Sequence, residues 1–259
     1  MPVTFDYRSI LKMNKIIDLN CDMGEGLDND ALLMPFISSA NISCGYHAGD
    51  SETMKRTIEL ALQNNVSIGA HPGFNDKTNF GRLEIPITLP HLFDLITAQL
   101  YQFKKITESF GIQMHHIKPH GALYNMAARD ISMARTIVAA IKSVDSNIIL
   151  YGLSGSHLIT EAAALNLKNA SEVFADRSYQ SDGSLTPRSM QGALIENTDD
   201  CLSQVLQMIL KKTVSTIHGD TIAIKAETIC LHGDGEKAVL FAEQIKKTLI
   251  ENQITIQTI

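Results

Sequence analysis

Short apolar runs separated by amphipathic stretches recur along almost the whole chain. Runs at 15–20 (KIIDLN), 40–44 (ANISC), 66–70 (VSIGA), 113–118 (QMHHIK), 147–151 (NIILY), 171–174 (SEVF) and 228–231 (TICL) have the length and composition of strands. Between them, 51–64, 89–110, 131–144, 156–165, 199–211 and 236–251 carry apolar residues at helical spacing. Strands alternating with helices predict βαβ units and a parallel sheet. About seven such units with no visible linker predict a single α/β domain over 15–259, a TIM-like β/α barrel. Residues 1–14 show no periodicity, and Met13 stands directly before the first run, so this segment is read as an extension outside the fold.

Four other stretches depart from the rhythm. VSTIHGDTIAIK has a Gly-Asp turn between two alternating runs and predicts a hairpin, and the final QITIQTI predicts a short extra strand. The segments 72–90 and 175–197 are long and rich in turn formers. Loops of that length inside a compact domain usually serve function. The second carries Asp176, Arg177, Asp182 and Arg188, a charge density its neighbours lack.

Composition narrows the class. With 259 residues, 44% of them hydrophobic, the chain can bury a sizeable core. A net charge of −6 with no basic block gives no electrostatic footprint for nucleic acid or an anionic membrane. No apolar run approaches a membrane span, and the first fifteen residues lack the apolar core of a signal peptide, so a cytoplasmic protein is expected. Four cysteines, Cys21, Cys44, Cys201 and Cys230, lie scattered without C-x-x-C spacing and are expected to be reduced thiols.

The chemistry collects at the ends of the strands. His47 (CGYHAGD), His71 (IGAHPG), His120 (IKPHG), His218 (TIHGD) and His232 (CLHGD) each follow an apolar run and precede glycine within two residues. The hairpin removes His218 to a turn. The other four stand at four strand ends, where loops of a parallel barrel converge, and each is a candidate ligand, acid/base or substrate clamp. Asp18, Asn20 and Asp22 are spaced by two, so a strand running through them puts their side chains on one face. Their oxygens, with Glu25 between Gly24 and Gly26, suit a cation or a substrate ammonium or amide. The plainer alternative is a turn made by Asp22 and Gly24, capped by Asn20. Lys118 and His120 flank Pro119, and a lysine held there can bind an anion or polarise a carbonyl. His115 and His116 lie inside a strand, one toward the core and one toward the helices, and take no role. His91 and His157 read as helix-start residues. Cys44, three residues before His47, invites a Cys/His nucleophile, but no third member marks it.

The motifs DLNCDMGEG, ANISCGYHAGD, IGAHPGF with NFGR, HHIKPHGALYN, EVFADRSYQSDGSL with PRSMQGALI, and CLHGD occur in one order from Lys15 to the last helix. In these the chain resembles the LamB/YcsF family. Phe74-Asn75-Asp76 and Thr186-Pro187 depart from the pattern as loop variation. The resemblance implies a β/α barrel similar to the glycoside hydrolase/deacetylase superfamily. It also implies the work of the A subunits of bacterial 5-oxoprolinase: ring opening of 5-oxo-L-proline to L-glutamate coupled to ATP hydrolysis, together with subunits B and C. Mapped onto this sequence, Asp18, Asn20, Asp22 and Glu25 would hold substrate or Mg²⁺, and Lys118, Arg177 and Arg82 would hold phosphoryl oxygens. His47, His71, His120 and His232 would be the acid/base candidates, with Asp176 orienting one of them. The chain has no G-x-x-x-x-G-K-[ST] loop, so an ATP site would be of another kind or would involve a partner. Two alternatives stay open. One is ATP-independent, metal-dependent hydrolysis, such as deacetylation of a sugar or amide, with Asp22, His71 and His120 holding zinc. The other is a non-catalytic binding or regulatory role.

Overall fold

The computed structural model of the chain describes residues 15–231 and 238–259. The elements run β1 (Lys15–Met23), α1 (Asp30–Leu33), β2 (Ser39–Ser43), α2 (Ser51–Gln63), β3 (Ser67–His71), α3 (Leu89–Ser109), β4 (His116–Ile117), α4 (Gly121–Arg129) and α5 (Ile131–Val144). They continue β5 (Ile149–Leu153), α6 (His157–Ala164), β6 (Lys168–Phe174), α7 (Thr198–Leu206), β7 (Thr213–Ser215), β8 (Thr221–Ala223), β9 (Thr228–Leu231), α8 (Ala238–Glu251) and β10 (Ile254–Ile256). Seven of the strands pair in parallel in the order β1-β2-β3-β4-β5-β6-β9, and β9 pairs back onto β1 to close the ring. The expected hairpin is the antiparallel pair β7–β8, and the expected extra strand is β10, which lies parallel to the start of β1.

Several of the helices start where a short polar side chain takes up free backbone N–H groups. Asp50 accepts from the Thr53 amide at the head of α2, Asp130 from Ser132 and Met133 at α5, and Asn197 from Asp199 and Asp200 at α7.

The strands alternate, but with an unusual sense: apolar side chains face the helices and polar ones fill the barrel. In β1, Ile17, Leu19, Cys21 and Met23 join the apolar layer under the helices, while Asp18 and Asn20, both fully buried, bond across the interior. β/α barrels are commonly filled by branched aliphatic side chains. Here the filling is a hydrogen-bonded stack, which stays stable only if every buried group has a partner.

At the bottom, Asp18 accepts from the hydroxyls of Ser38 (2.6 Å), Ser39 (2.7 Å) and Thr228 (2.6 Å). One layer up, Asn20 donates to Thr228 (2.6 Å) and to Glu172 (3.0 Å) and accepts from Asn41 (2.7 Å). The Asn41 carbonyl oxygen lies 2.8 Å from His116 Nε2, and the His116 ring stacks on Tyr151. Gly69 makes room for that ring: a Cβ there would stand 2.2 Å from His116 Nε2.

Two sequence expectations change. Only His116–Ile117 of the run 113–118 counts as a strand, although His115 and Lys118 still donate to the Ile68 and Ala70 carbonyls; Pro119, with no N–H, then ends the pairing. The stretch after His120, left between two expected elements, forms α4. The segments 1–14 and 232–237, with His232 and Asp234, lie outside the described residues. Among the described residues no helix is long and apolar enough to cross a membrane.

Candidate functional site

The top of the polar stack is a buried ammonium held between carboxylates. Lys118 is 2% exposed, and its Nζ lies 2.9 Å from Asp22 Oδ1 and 2.9 Å from Glu172 Oε1. Glu172 in turn accepts from the Tyr124 hydroxyl at 2.7 Å. Burial works against the lysine's charge, but the neighbouring carboxylates more than offset it, so its pKa lies well above the ordinary value. Nζ also donates to Cys230 Sγ at 3.0 Å. Burial pushes that thiol up, so it stays protonated and the carboxylates carry the pairing.

Beside this group three imidazoles meet one carboxylate. His71 closes β3, His47 follows β2, and His120 precedes the first turn of α4. His71 Nδ1 lies 2.7 Å from the Lys118 carbonyl, and His120 Nε2 lies 2.8 Å from the Phe80 carbonyl. Since a carbonyl only accepts, each of those nitrogens carries a proton. The opposite nitrogens, His71 Nε2 and His120 Nδ1, then point at each other across 2.8 Å. Glu25 Oε1 lies 3.1 Å from His47 Nε2, 3.3 Å from His120 Nδ1 and 3.9 Å from His71 Nε2. The His47 and His120 rings are stacked at 3.7 Å, with His71 standing across both. Burial first, and the neighbouring histidines second, hold His47 and His120 well below the usual imidazole pKa. Gly81, at φ +62°, lets the loop pass this pair; a Cβ there would lie 2.8 Å from the His47 Cβ.

Asp22, Glu25, His71, Lys118 and His120 form the floor of a cavity of about 780 Å³ at the carboxyl end of the barrel. Arg82 and α4 line its sides, together with the loop after β5 and the long loop after β6. A charged lysine, imidazoles and paired carboxylates can together bind an anionic group, polarise a carbonyl and move a proton.

The residues singled out in the sequence divide by depth. Asp22, Glu25, His71, Lys118 and His120 come together on the floor; His47 lies just behind, against Glu25 and His120. Asp18 and Asn20 do share a face with Asp22, but they sit deeper, and their oxygens are taken by serine, threonine and asparagine side chains. The structure therefore places them as struts of the barrel beneath the cavity floor. Arg177 touches the cavity but is 4% exposed, and its guanidinium donates to the carbonyls of Ala193 and Thr186, tying the long loop to itself. Burial lowers its pKa to about 10. Asp176 does not line the cavity, and His218 sits in the β7–β8 turn. Glu172, Tyr124 and Cys230 escaped the sequence reading. Alternation in NASEVF placed Glu172 opposite Val173 and was the available signal.

A closed seven-stranded parallel barrel with an acid/base cluster at its carboxyl end defines a β/α-barrel protein with an enzyme-like pocket. The chain belongs to the LamB/YcsF family, whose model matches residues 17–259. The 5-oxoprolinase A subunit from Bordetella parapertussis is 47% identical over 250 residues, 95% of this chain and 99% of that protein. Its counterpart from Histophilus somni is 48% identical over 242 residues, 93% of this chain and 98% of that protein. The crystal structure of a lactam utilization protein from Thermus thermophilus superposes with a TM-score of 0.88 at 33% identity, covering 94% of this chain and 99% of that one.

Proposed function

We propose that this chain is the A subunit of an ATP-hydrolysing 5-oxoprolinase, a cytoplasmic single-barrel protein that opens the lactam of 5-oxo-L-proline together with subunits B and C. The observation that carries this reading is the cavity floor, where one ammonium, two imidazoles and two carboxylates converge. Near-full-length relatives that are 5-oxoprolinase A subunits support it.

Amide resonance makes the lactam carbonyl a poor electrophile, and the five-membered ring lies near or below the open amino acid in free energy. Transfer of the ATP γ-phosphoryl to the carbonyl oxygen, with loss of ADP, addresses both. One water then adds to the activated carbon and the C–N bond breaks, leaving an acyl phosphate. A second water releases phosphate and leaves glutamate. Lys118 faces the charge that develops on the carbonyl oxygen, and Arg82 faces the phosphoryl group. Asp22 accepts from the lactam N–H. His120 takes the proton of the attacking water, and His71, coupled to it at 2.8 Å, relays a proton to the departing nitrogen. Mg²⁺ enters with ATP.

The test is glutamate release from 5-oxoproline with ATP and Mg²⁺, by this chain alone and with both partners. ATP-dependent glutamate in the full mixture is expected, with Asp22→Asn and His120→Ala lowering it on the order of 100-fold or more at unchanged assembly. Absence of glutamate from the full mixture, or full activity in both variants, refutes the reading.

A further inference from the structure

The facing nitrogens of His71 and His120 pose a problem of charge. Their outer nitrogens are committed as donors to the Lys118 and Phe80 carbonyls, so the neutral rings aim two lone pairs at one point, 2.8 Å apart. Glu25 Oε1 brings more negative charge to the same place, 3.3 Å from His120 Nδ1. Lone pairs converge like this when they share a cation. Backbone carbonyls on the outer N–H groups are also how metal-binding histidines are usually fixed in tautomer and orientation.

We propose that Glu25, His47, His71 and His120 form a binding site for one divalent transition-metal ion at the cavity floor. One donor atom from each of the four lies within 4.8 Å of the others. Tetrahedral ligation with bonds of about 2.1 Å separates neighbouring donors by about 3.4 Å. The contacts of 2.8, 3.1, 3.3 and 3.9 Å bracket that value; His47, whose ring lies parallel to that of His120 at 3.7 Å, must turn out of the stack to bring its lone pair into line. Three imidazoles and one carboxylate suit Zn²⁺ or Co²⁺, whereas Mg²⁺ and Ca²⁺ prefer all-oxygen shells. The set also differs from the Asp22, His71 and His120 trio suggested by sequence. Asp22 Oδ1 accepts from Lys118 and Asn41 while its Oδ2 lies 3.3 Å from His71 Nε2, and Glu25 Oε1 is the carboxylate oxygen that lies against both His47 and His120.

The site stands on geometry and would replace one part of the lactam reading: an ion held at His71 Nε2 and His120 Nδ1 takes up the two nitrogens given proton-transfer roles there, so it is tested by binding and not by turnover. The full chain, purified without chelator, should hold about one equivalent of transition metal by elemental analysis. After chelator treatment, CoCl₂ should restore a 1:1 complex with visible d–d bands of a histidine-rich site, displaced by ZnCl₂ and unaffected by millimolar MgCl₂. His71→Ala and His120→Ala should weaken Co²⁺ binding at least 100-fold, while His218→Ala, in the distant hairpin turn, keeps it. Lack of saturable 1:1 Co²⁺ or Zn²⁺ binding by the wild-type chain would overturn the site, whatever the variants do, and would leave a shared proton between His71 and His120. Such a failure leaves the lactam reading standing, since glutamate release is measured separately.

Discussion

Replacing Glu172 by glutamine tests how the lysine is held. The glutamate is fully buried and takes three donors, Lys118 at 2.9 Å, Tyr124 at 2.7 Å and Asn20 at 3.0 Å. Glutamine keeps the shape but removes the negative charge and turns one acceptor into a donor. Each hydrogen bond to a charged group contributes roughly 1.5–3 kcal/mol, and breaking a buried ion pair from one side costs roughly 3–5 kcal/mol. Asp22 still faces the ammonium at 2.9 Å, so the lower end applies, and a loss of about 3 kcal/mol is expected from these values. Urea unfolding at pH 7.5 measures it as a lower midpoint at unchanged slope. Glu52→Gln is the control, because its ion pair with Lys55 is solvent-exposed and should be worth under about 0.5 kcal/mol. If Glu172→Gln falls within about 1 kcal/mol of the wild type, the carboxylate sandwich does not hold the lysine as argued.

Three further outcomes follow from the same structure. Gly81→Ala places a Cβ 2.8 Å from the His47 Cβ at a positive φ, so it should cost roughly 1–3 kcal/mol in unfolding experiments and disturb the stacked pair. His116 is held well below the ordinary imidazole pKa, by burial first and by His115 second. The unfolded chain therefore gains a proton that the folded one refuses as pH falls below about 6.5, and this residue's contribution to stability, present above that pH, declines by up to about 1.4 kcal/mol per unit. A urea midpoint whose acid-side slope is the same in the wild type and in His116→Gln contradicts this. Asn197→Ala removes the side chain that caps α7 and should cost about 1 kcal/mol by the same assay.

Periodicity was enough to predict the barrel, because parallel strands with helical crossovers leave a regular alternation of runs. It could not show depth. Asp18, Asn20 and Asp22 share one face, but only a closed barrel shows that the first two lie beneath the floor while the third reaches it. Glu172 was hidden for a related reason: one carboxylate in the seven-residue strand β6 looks like an edge residue until Lys118, just after β4, stands against it. α4 was missed because it begins at Gly121, whose φ of +53° suits a turn, and because its nine residues give little periodic signal. The histidine-then-glycine pattern proved informative because its glycines sit where a Cβ would intrude: at Gly73 on the His47 ring, at Gly49 on the Gly24 carbonyl and at Gly121 on the Gly81 carbonyl.

A barrel interior joined by hydrogen bonds also constrains how the chain reaches its fold. An aliphatic interior can collapse in any order, since each apolar contact is rewarded separately. In this stack Asp18 of β1 needs Thr228 of β9, 210 positions away, and Asn20 needs Glu172 of β6, 152 positions away. A half-barrel would bury these groups without partners or leave them in water and forgo the core. Partly closed states are thereby disfavoured, and the ring is expected to form as one cooperative event that waits for its last strand.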